Sequence, residues 1–181
     1  MTHRPLVTRC IGIGAVVIAA SRCGGTPAPI DLLAALPTAE RRAAGPIDRA
    51  IVLIAVAGDR GTEPVLQIQA PARVSYPVRL GAHAWLRGDV MLATGSGEGV
   101  TVRVGIADTR TYEELLHLPV NPPRYGIDTW RTVDLDLGAY SGWQWSLFYR
   151  PSGITWKLIF NADPTPSGSV IWRRLRIEMA R

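Results

Sequence analysis

Two aspartates separated by one residue, Asp134 and Asp136, lie in "WRTVDLDLGAYSGWQWSLFYR" (residues 130–150), a stretch that also holds Trp130, Trp143 and Trp145. Residues i and i+2 of a strand project from the same face, so the two carboxylates could act together as an acid/base pair or as cation ligands. Calcium takes about six to eight oxygens, and no dense Asp/Asn/Gly loop accompanies this pair. The tryptophans suggest different chemistry. A flat indole left at a rim can stack on a sugar ring or pack on a partner protein. Trp143, which follows the Ser141-Gly142 turn, is placed for that. In "HAWLR" the alternation puts His83, Trp85 and Arg87 on one face and Ala84 and Leu86 on the other. His83, Trp85, Arg87 and Trp143 are therefore the candidate ligand contacts.

Catalytic material is sparse. Of the three histidines, His3 belongs to the amino-terminal segment, and His83 and His117 stand alone without metal-binding spacing. Glu113 and Glu114 are adjacent, so a strand sends them to opposite faces and they do not form a glycosidase pair by themselves. "GSGEG" (95–99) lacks the context of a nucleophile elbow and the Gly-Lys-Ser/Thr of a phosphate loop, and reads as a hairpin connection. The expectation is a protein that is not an enzyme and takes no metal and no cofactor.

The elements that would position these residues are strands. From Arg49 onward the apolar pattern has period two, with candidate strands at 49–57, 64–70, 72–80, 83–93, 99–107, 112–119, 129–136, 143–150, 154–161 and 169–178, separated by Gly, Pro, Asp or Asn. Short strands in succession without helices argue for an antiparallel sandwich. Val100, Val102, Val104 and Ile106 point inward, and Thr101 and Arg103 outward; Val74, Tyr76, Val78 and Leu80 point inward, and Arg73, Ser75 and Arg79 outward. "AIVLIAVAG" is apolar on both faces and predicts a strand covered on both sides. Trp130, Trp156 and Trp172 are expected in the core or at its edges.

The order "RVSYPVRLGAHAWL", "GEGVTVRVGIAD", "WRTVDLDLGAYSGWQWSLFY", "VIWRRLRI" resembles the galactose-binding-like jelly-roll domains of bacterial surface and envelope proteins over about residues 63 to 178. The third segment is the most specific, being similar to a "W-x-x-V-x-V-D-L-S-x-Y-A-G" pattern. The likeness implies an all-β antiparallel jelly-roll sandwich, often an accessory carbohydrate-binding or interaction module. It implies that Asp136 opens the "DLGAYSG" turn and caps its backbone N–H groups, leaving Asp134 as an outward residue. Trp145, Leu147 and Tyr149 take core positions. Departures are the loss of Phe in "GVTVRV" and the presence of Trp143 and Trp145.

Ahead of the sandwich, "MTHRPLVTRCIGIGAVVIAASRCGGTPAP" has a basic start, an apolar run from Cys10 to Ala20 and then small residues. That run is too short to span a bilayer, which takes about 20 residues, and suits a secretory signal. Cys23, followed by "GGTPAP", resembles the lipidated cysteine of a bacterial lipoprotein, although Arg22 and Ala20 depart from that motif; cleavage after Ser21 or an uncleaved anchor is the alternative. Residues 1–23 are thus read as a signal, 24–48 as a linker with short helical pieces, in which Asp31 and Thr38 are plausible N-caps, and 49–181 as the sandwich. Either cleavage leaves at most Cys23, so no disulfide framework is expected. The formal charge of +5 falls to +2, 17 basic against 15 acidic residues, without residues 1–23, and the 19 arginines form no run. This argues against nucleic acid. The expected role is an exported, lipid-anchored module at the cell envelope whose partner is a polysaccharide or, alternatively, an envelope protein.

Overall fold

The period-two runs become strands that sort into two antiparallel sheets. A computed structural model describes residues 28–58, 61–81, 83–94, 96, 99–121, 129–141, 155–164 and 168–179. Trp143, Trp145, Leu147, Tyr149 and Cys23 lie outside the described residues. The strands are β1 (Ile30–Asp31), β2 (Glu40–Ala43), β3 (Ile51–Gly58), β4 (Gly61–Gln69), β5 (Ala72–Val78), β6 (Ala84–Leu92), β7 (Val100–Ala107), β8 (Tyr112–Val120), β9 (Arg131–Asp136), β10 (Trp156–Pro164) and β11 (Ser169–Met179), with one short helix, α1 (Ile47–Ala50). The first sheet has the order β3-β4-β11-β6-β9, with β1 also against β11; the second has the order β2-β5-β10-β7-β8.

Alternation decides which side chains meet between the sheets. Val74, Tyr76 and Val78 of β5, Val100, Val102, Val104 and Ile106 of β7, and Leu158 and Phe160 of β10 are buried against Leu66, Ile68, Leu86, Val90, Trp172 and Ile177 of the first sheet. Three rings stack through the centre: Tyr76 meets Phe160 edge-on at 5.9 Å, and Phe160 meets Trp172 edge-on at 5.4 Å. Trp172 is fully buried, and truncating such a residue to alanine costs about 3 to 5 kcal/mol. Trp156 is also in the core, with Tyr140 edge-on to it at 5.4 Å.

The sandwich takes in residues that the sequence assigns to a linker and helical pieces. β1 joins β11 through Ile30 and Ile177, and β2 joins β5 from Glu40–Ser75 to Ala43–Ala72. Leu32, Leu33 and Leu36 between them are buried in the core. Asp31 caps a turn and not a helix: its Oδ1 accepts from Leu33 N at 2.8 Å and Ala34 N at 3.1 Å, and residues 32–35 are turn. Thr38 opens no helix. It ends the 3-10 turn Leu36–Thr38, its hydroxyl donating to Ala35 O at 2.8 Å, after which the chain enters β2.

Two further expectations are corrected. The connection through 95–99 is not a hairpin, because β6 and β7 belong to different sheets and the chain crosses between them. Ser96 holds that crossing to the start of β11: its Oγ accepts from Ser169 N at 3.0 Å and donates to Ser169 O at 3.3 Å. "AIVLIAVAG" is not covered on both sides. Among the described residues its strand, β3, is the edge of its sheet, and only Ile51 of it reaches the core; Leu53 is 41% exposed, and Ala55 and Ala57 are open to solvent.

Candidate functional site

The outward face of the first sheet gathers most of the chemistry. Directly opposed residues of neighbouring strands point the same way, so the registers define outward rows across β9, β6 and β11. These are Asp136–Trp85–Glu178, Asp134–Arg87–Arg176 and Thr132–Asp89–Arg173. Between the last two rows β11 bulges: β6 advances two residues while β11 advances three, and Arg174 takes a φ of +51°. One extra residue resets the alternation. Leu175 and Ile177 then fall inward, and Arg173, Arg174 and Arg176 line one face. Gly88 makes room for the bulge, because a Cβ there would stand 2.8 Å from Leu175 Cδ1, 3.3 Å from Leu175 Cα and 3.4 Å from the carbonyl oxygen of Arg173.

The result is an open cleft of about 210 Å3 lined by Arg87, Asp89, Thr132, Asp134, Arg174 and Arg176, with Gly88 at its floor. Its charged groups are cross-linked. Arg87 Nη1 donates to Glu178 Oε2 at 2.8 Å and Nε to Asp134 Oδ1 at 3.2 Å; Arg176 Nε donates to Glu178 Oε1. Arg173 donates from Nε to Asp89 and from Nη1 to Glu63, both at 3.0 Å, and lies 4.2 Å from the centre of the Trp130 ring; Thr132 Oγ1 donates to Asp89 Oδ1 at 3.0 Å. Hydrogen bonding from Arg176, with the nearby charge of Arg87, holds Glu178 below the usual carboxylate range. Arg174 differs: it approaches Glu63 at 3.7 Å and Asp89 at 4.0 Å but makes no hydrogen bond among the described residues, and its side chain is half exposed. Its guanidinium donors therefore face the cleft.

Of the sequence candidates, the structure brings together Trp85 and Arg87. Trp85 is half-buried on the outward face, with the Arg87 guanidinium 5.9 Å from its ring centre. His83 is not on that face. It precedes the strand with a φ of +59°, exposed in the turn beside Gly138, so the alternation that starts at Ala84 does not reach it. Asp136 accepts from Gly138 N at 2.7 Å and holds the turn after β9, while Asp134 is tied to Arg87. Trp130 is half-buried under Arg173. The sequence reading missed Arg174, Arg176, Asp89 and Thr132. One signal was present: strict alternation through "WRRLRI" would bury Arg174 beside Trp172 and expose Leu175, an arrangement that a bulge removes.

The outward face of the second sheet is a separate polar surface. Tyr112, 49% exposed, lies flat on Gly105, where any side chain would collide with its ring. Arg73 Nε donates to Asn161 Oδ1 at 2.6 Å, Arg103 is paired with Asp163 and lies 3.7 Å from Glu114, and Glu114 meets His117 at 3.3 Å. Burial and neighbouring Glu114 raise the Tyr112 phenol above its ordinary value. Glu114 and His117 are thus on the opposite sheet from Asp134, and Glu113, which accepts from Tyr140, does not join them. Among the described residues no three His, Cys, Asp or Glu side chains cluster as metal ligands would.

No protein-family model matches the chain, and no curated protein matches it in sequence. Its fold does have counterparts. The carbohydrate-binding module TmCBM61, solved in complex with β-1,4-galactotriose, superposes with a TM-score of 0.53 at 7% identity, covering 80% of this chain and 90% of that one. Two cleaved adhesin domains of Lys-gingipain, one of them described as from Porphyromonas gingivalis, superpose with TM-scores of 0.54 and 0.53 at 12% and 11% identity, covering 84% and 90% of this chain and 94% and 95% of theirs. The fold is a jelly-roll β-sandwich like that of TmCBM61 and these adhesin domains.

Proposed function

We propose that this domain is a non-catalytic binding module for polysaccharide, and that the ligand lies across the outward face of the first sheet. One observation supports this reading above the others. Trp85 stands beside a cleft whose floor carries planar carboxylates and guanidinium groups, with Arg174 free of hydrogen bonds among the described residues. Sugars offer an apolar ring face and hydroxyls that both donate and accept, and this surface matches both: an indole for the ring, and Asp134, Asp89 and Arg174 for the hydroxyls. The resemblance to TmCBM61 and to the adhesin domains agrees with a binding role. An interaction with an envelope protein is the alternative, and the sugar-suited chemistry of the face favours the glycan.

The reading extends to location. Export, with attachment to the membrane through a lipid on Cys23, is supported by the amino-terminal pattern. Six residues separate Cys23 from Ile30, where the sandwich begins, a tether of at most about 25 Å that would hold the module near the envelope surface. Intact mass of the mature amino terminus, with Cys23→Ser as control, tests the lipid.

Affinity electrophoresis of the full chain through gels containing cell-wall and plant polysaccharides tests the ligand. Trp85→Ala and Arg174→Ala should each weaken retention about tenfold, or roughly 1.4 kcal/mol, with far-UV circular dichroism unchanged. Absence of retention by any polysaccharide from folded protein would sink the glycan reading. Retention that survives both substitutions would move the site elsewhere.

A further inference from the structure

Each sheet edge in a β-sandwich exposes unpaired backbone N–H and C=O groups, and proteins usually guard such edges with charge, proline, a bulge or short length. Apart from the two-residue β1 beside β11, the described residues leave four edges, and three of them are guarded. β9 bears Arg131, Asp134 and Asp136; β2 has four residues, three of them charged; β8 bears Glu113, Glu114, His117 and Pro119 and carries a bulge against β7. The fourth, β3, is "IVLIAVAG": eight residues without charge or proline, in unbroken register with β4. Of the three large apolar residues exposed among the described residues, two, Ile47 and Leu53, belong to α1 and β3.

We infer that β3 is a docking edge for a second copy of this chain, the two β3 strands pairing antiparallel about a two-fold axis at Ile54. The sequence of the strand complements itself in that register. Ile54 faces Ile54, Val52 faces Val56, Leu53 faces Ala55 and Ile51 faces Ala57, so every pair is apolar, and at the exposed positions the large Leu53 meets the small Ala55. A heterologous partner would not need this palindromic match of size. Residues directly opposed across a pair point to the same side, and Ile54 is on the same side as Trp85 by the registers through β4, β11 and β6. The pair therefore forms one continuous sheet with both Trp85 and Arg174 faces on one surface, which suits a repeating polymer through bivalent contact.

The dimer does not depend on the glycan reading and is tested without it. Sedimentation equilibrium of the full chain in mild detergent should give twice the chain mass. The double substitution Leu53→Lys with Ala55→Lys, at exposed positions, places lysines opposite one another and should halve that mass without changing the circular dichroism. A second variant, Leu53→Glu with Ala55→Glu, should also be monomeric alone, and an equal mixture of the two should recover the dimer mass. A monomeric wild type, a lysine variant that remains dimeric, or a mixture that stays monomeric overturns the inference. Should the wild type be monomeric yet capture a different chain through β3, the edge belongs to that partner and the self-pairing is wrong.

Discussion

Replacing Gly88 by alanine tests the link between the core and the cleft. Gly88 lies in regular strand, so alanine meets no torsional objection; the conflict is with what lies beneath. The new methyl would stand 2.8 Å from Leu175 Cδ1, which can turn aside, but also 3.3 Å from Leu175 Cα and 3.4 Å from Arg173 O, which are backbone. Overpacking of this kind costs about 1 to 3 kcal/mol, offset by ~0.4 to 1 kcal/mol from the stiffer unfolded chain. A net loss of about 1 to 2 kcal/mol is expected, seen in urea as a lower midpoint with an unchanged slope. Leu175→Ala alone should cost about 2 to 5 kcal/mol through its cavity. With both substitutions the added methyl occupies part of that space and the nearest collision is gone, so the pair should be more stable than the sum by at least ~0.5 kcal/mol. Strict additivity, or a Gly88→Ala protein as stable as wild type, would refute the account of the bulge.

Other outcomes follow from the same physics. Gly105→Ala should cost under about 1 kcal/mol, less than Gly88→Ala, because the half-exposed ring of Tyr112 can swing off; equal losses in urea melts would contradict this. The buried hydroxyl of Tyr76 has no hydrogen-bond partner among the described residues, so Tyr76→Phe should be neutral or stabilising by up to about 1 to 3 kcal/mol, and a clear loss in calorimetry would show the hydroxyl to be engaged. Burial raises the Tyr76 phenol above its ordinary value of 10.0, so the unfolded chain ionises first and stability falls as pH rises above about 10. Tyr76→Phe should remove part of that alkaline slope; an unaltered slope would locate it elsewhere, such as at Tyr140, whose phenol is pushed up to about 12, chiefly by burial. Arg173→Met strands the carboxylates of Asp89 and Glu63, which share it at 3.0 Å in a mostly buried setting, and should cost about 2 kcal/mol or more, whereas Arg42→Met at the exposed Glu40 pair should cost under about 1 kcal/mol.

Much of the sandwich was legible because period two is a local property. Runs such as Val100–Ile106 state their inward face in their own residues, and nine of the ten candidate strands have counterparts among the described elements; the tenth, 143–150, lies outside the described residues. The Asp136 turn was equally local, since the donor at Gly138 is two residues away. Neighbours distant in the chain were not legible. β3 looked doubly covered because an apolar sequence cannot say whether it lies at the centre of a sheet or at its edge. Residues 30–43 looked like a linker because their partners, Ile177 and Ser75, are far along the chain.

Alternation and turn residues by themselves determined that this chain is an antiparallel all-β domain with the alternate apolar residues of runs such as Val100–Ile106 inside, since a strand's faces follow from covalent geometry alone. The candidate face needed tertiary contacts. Arg87 meets Asp134 and Glu178 only because β9 and β11 flank β6, and Arg174 reaches the cleft only because Gly88 admits Leu175 beneath it and turns the strand by one residue. A one-residue shift inverts every side chain that follows, and what permits it here is the absence of a single methyl group on the neighbouring strand.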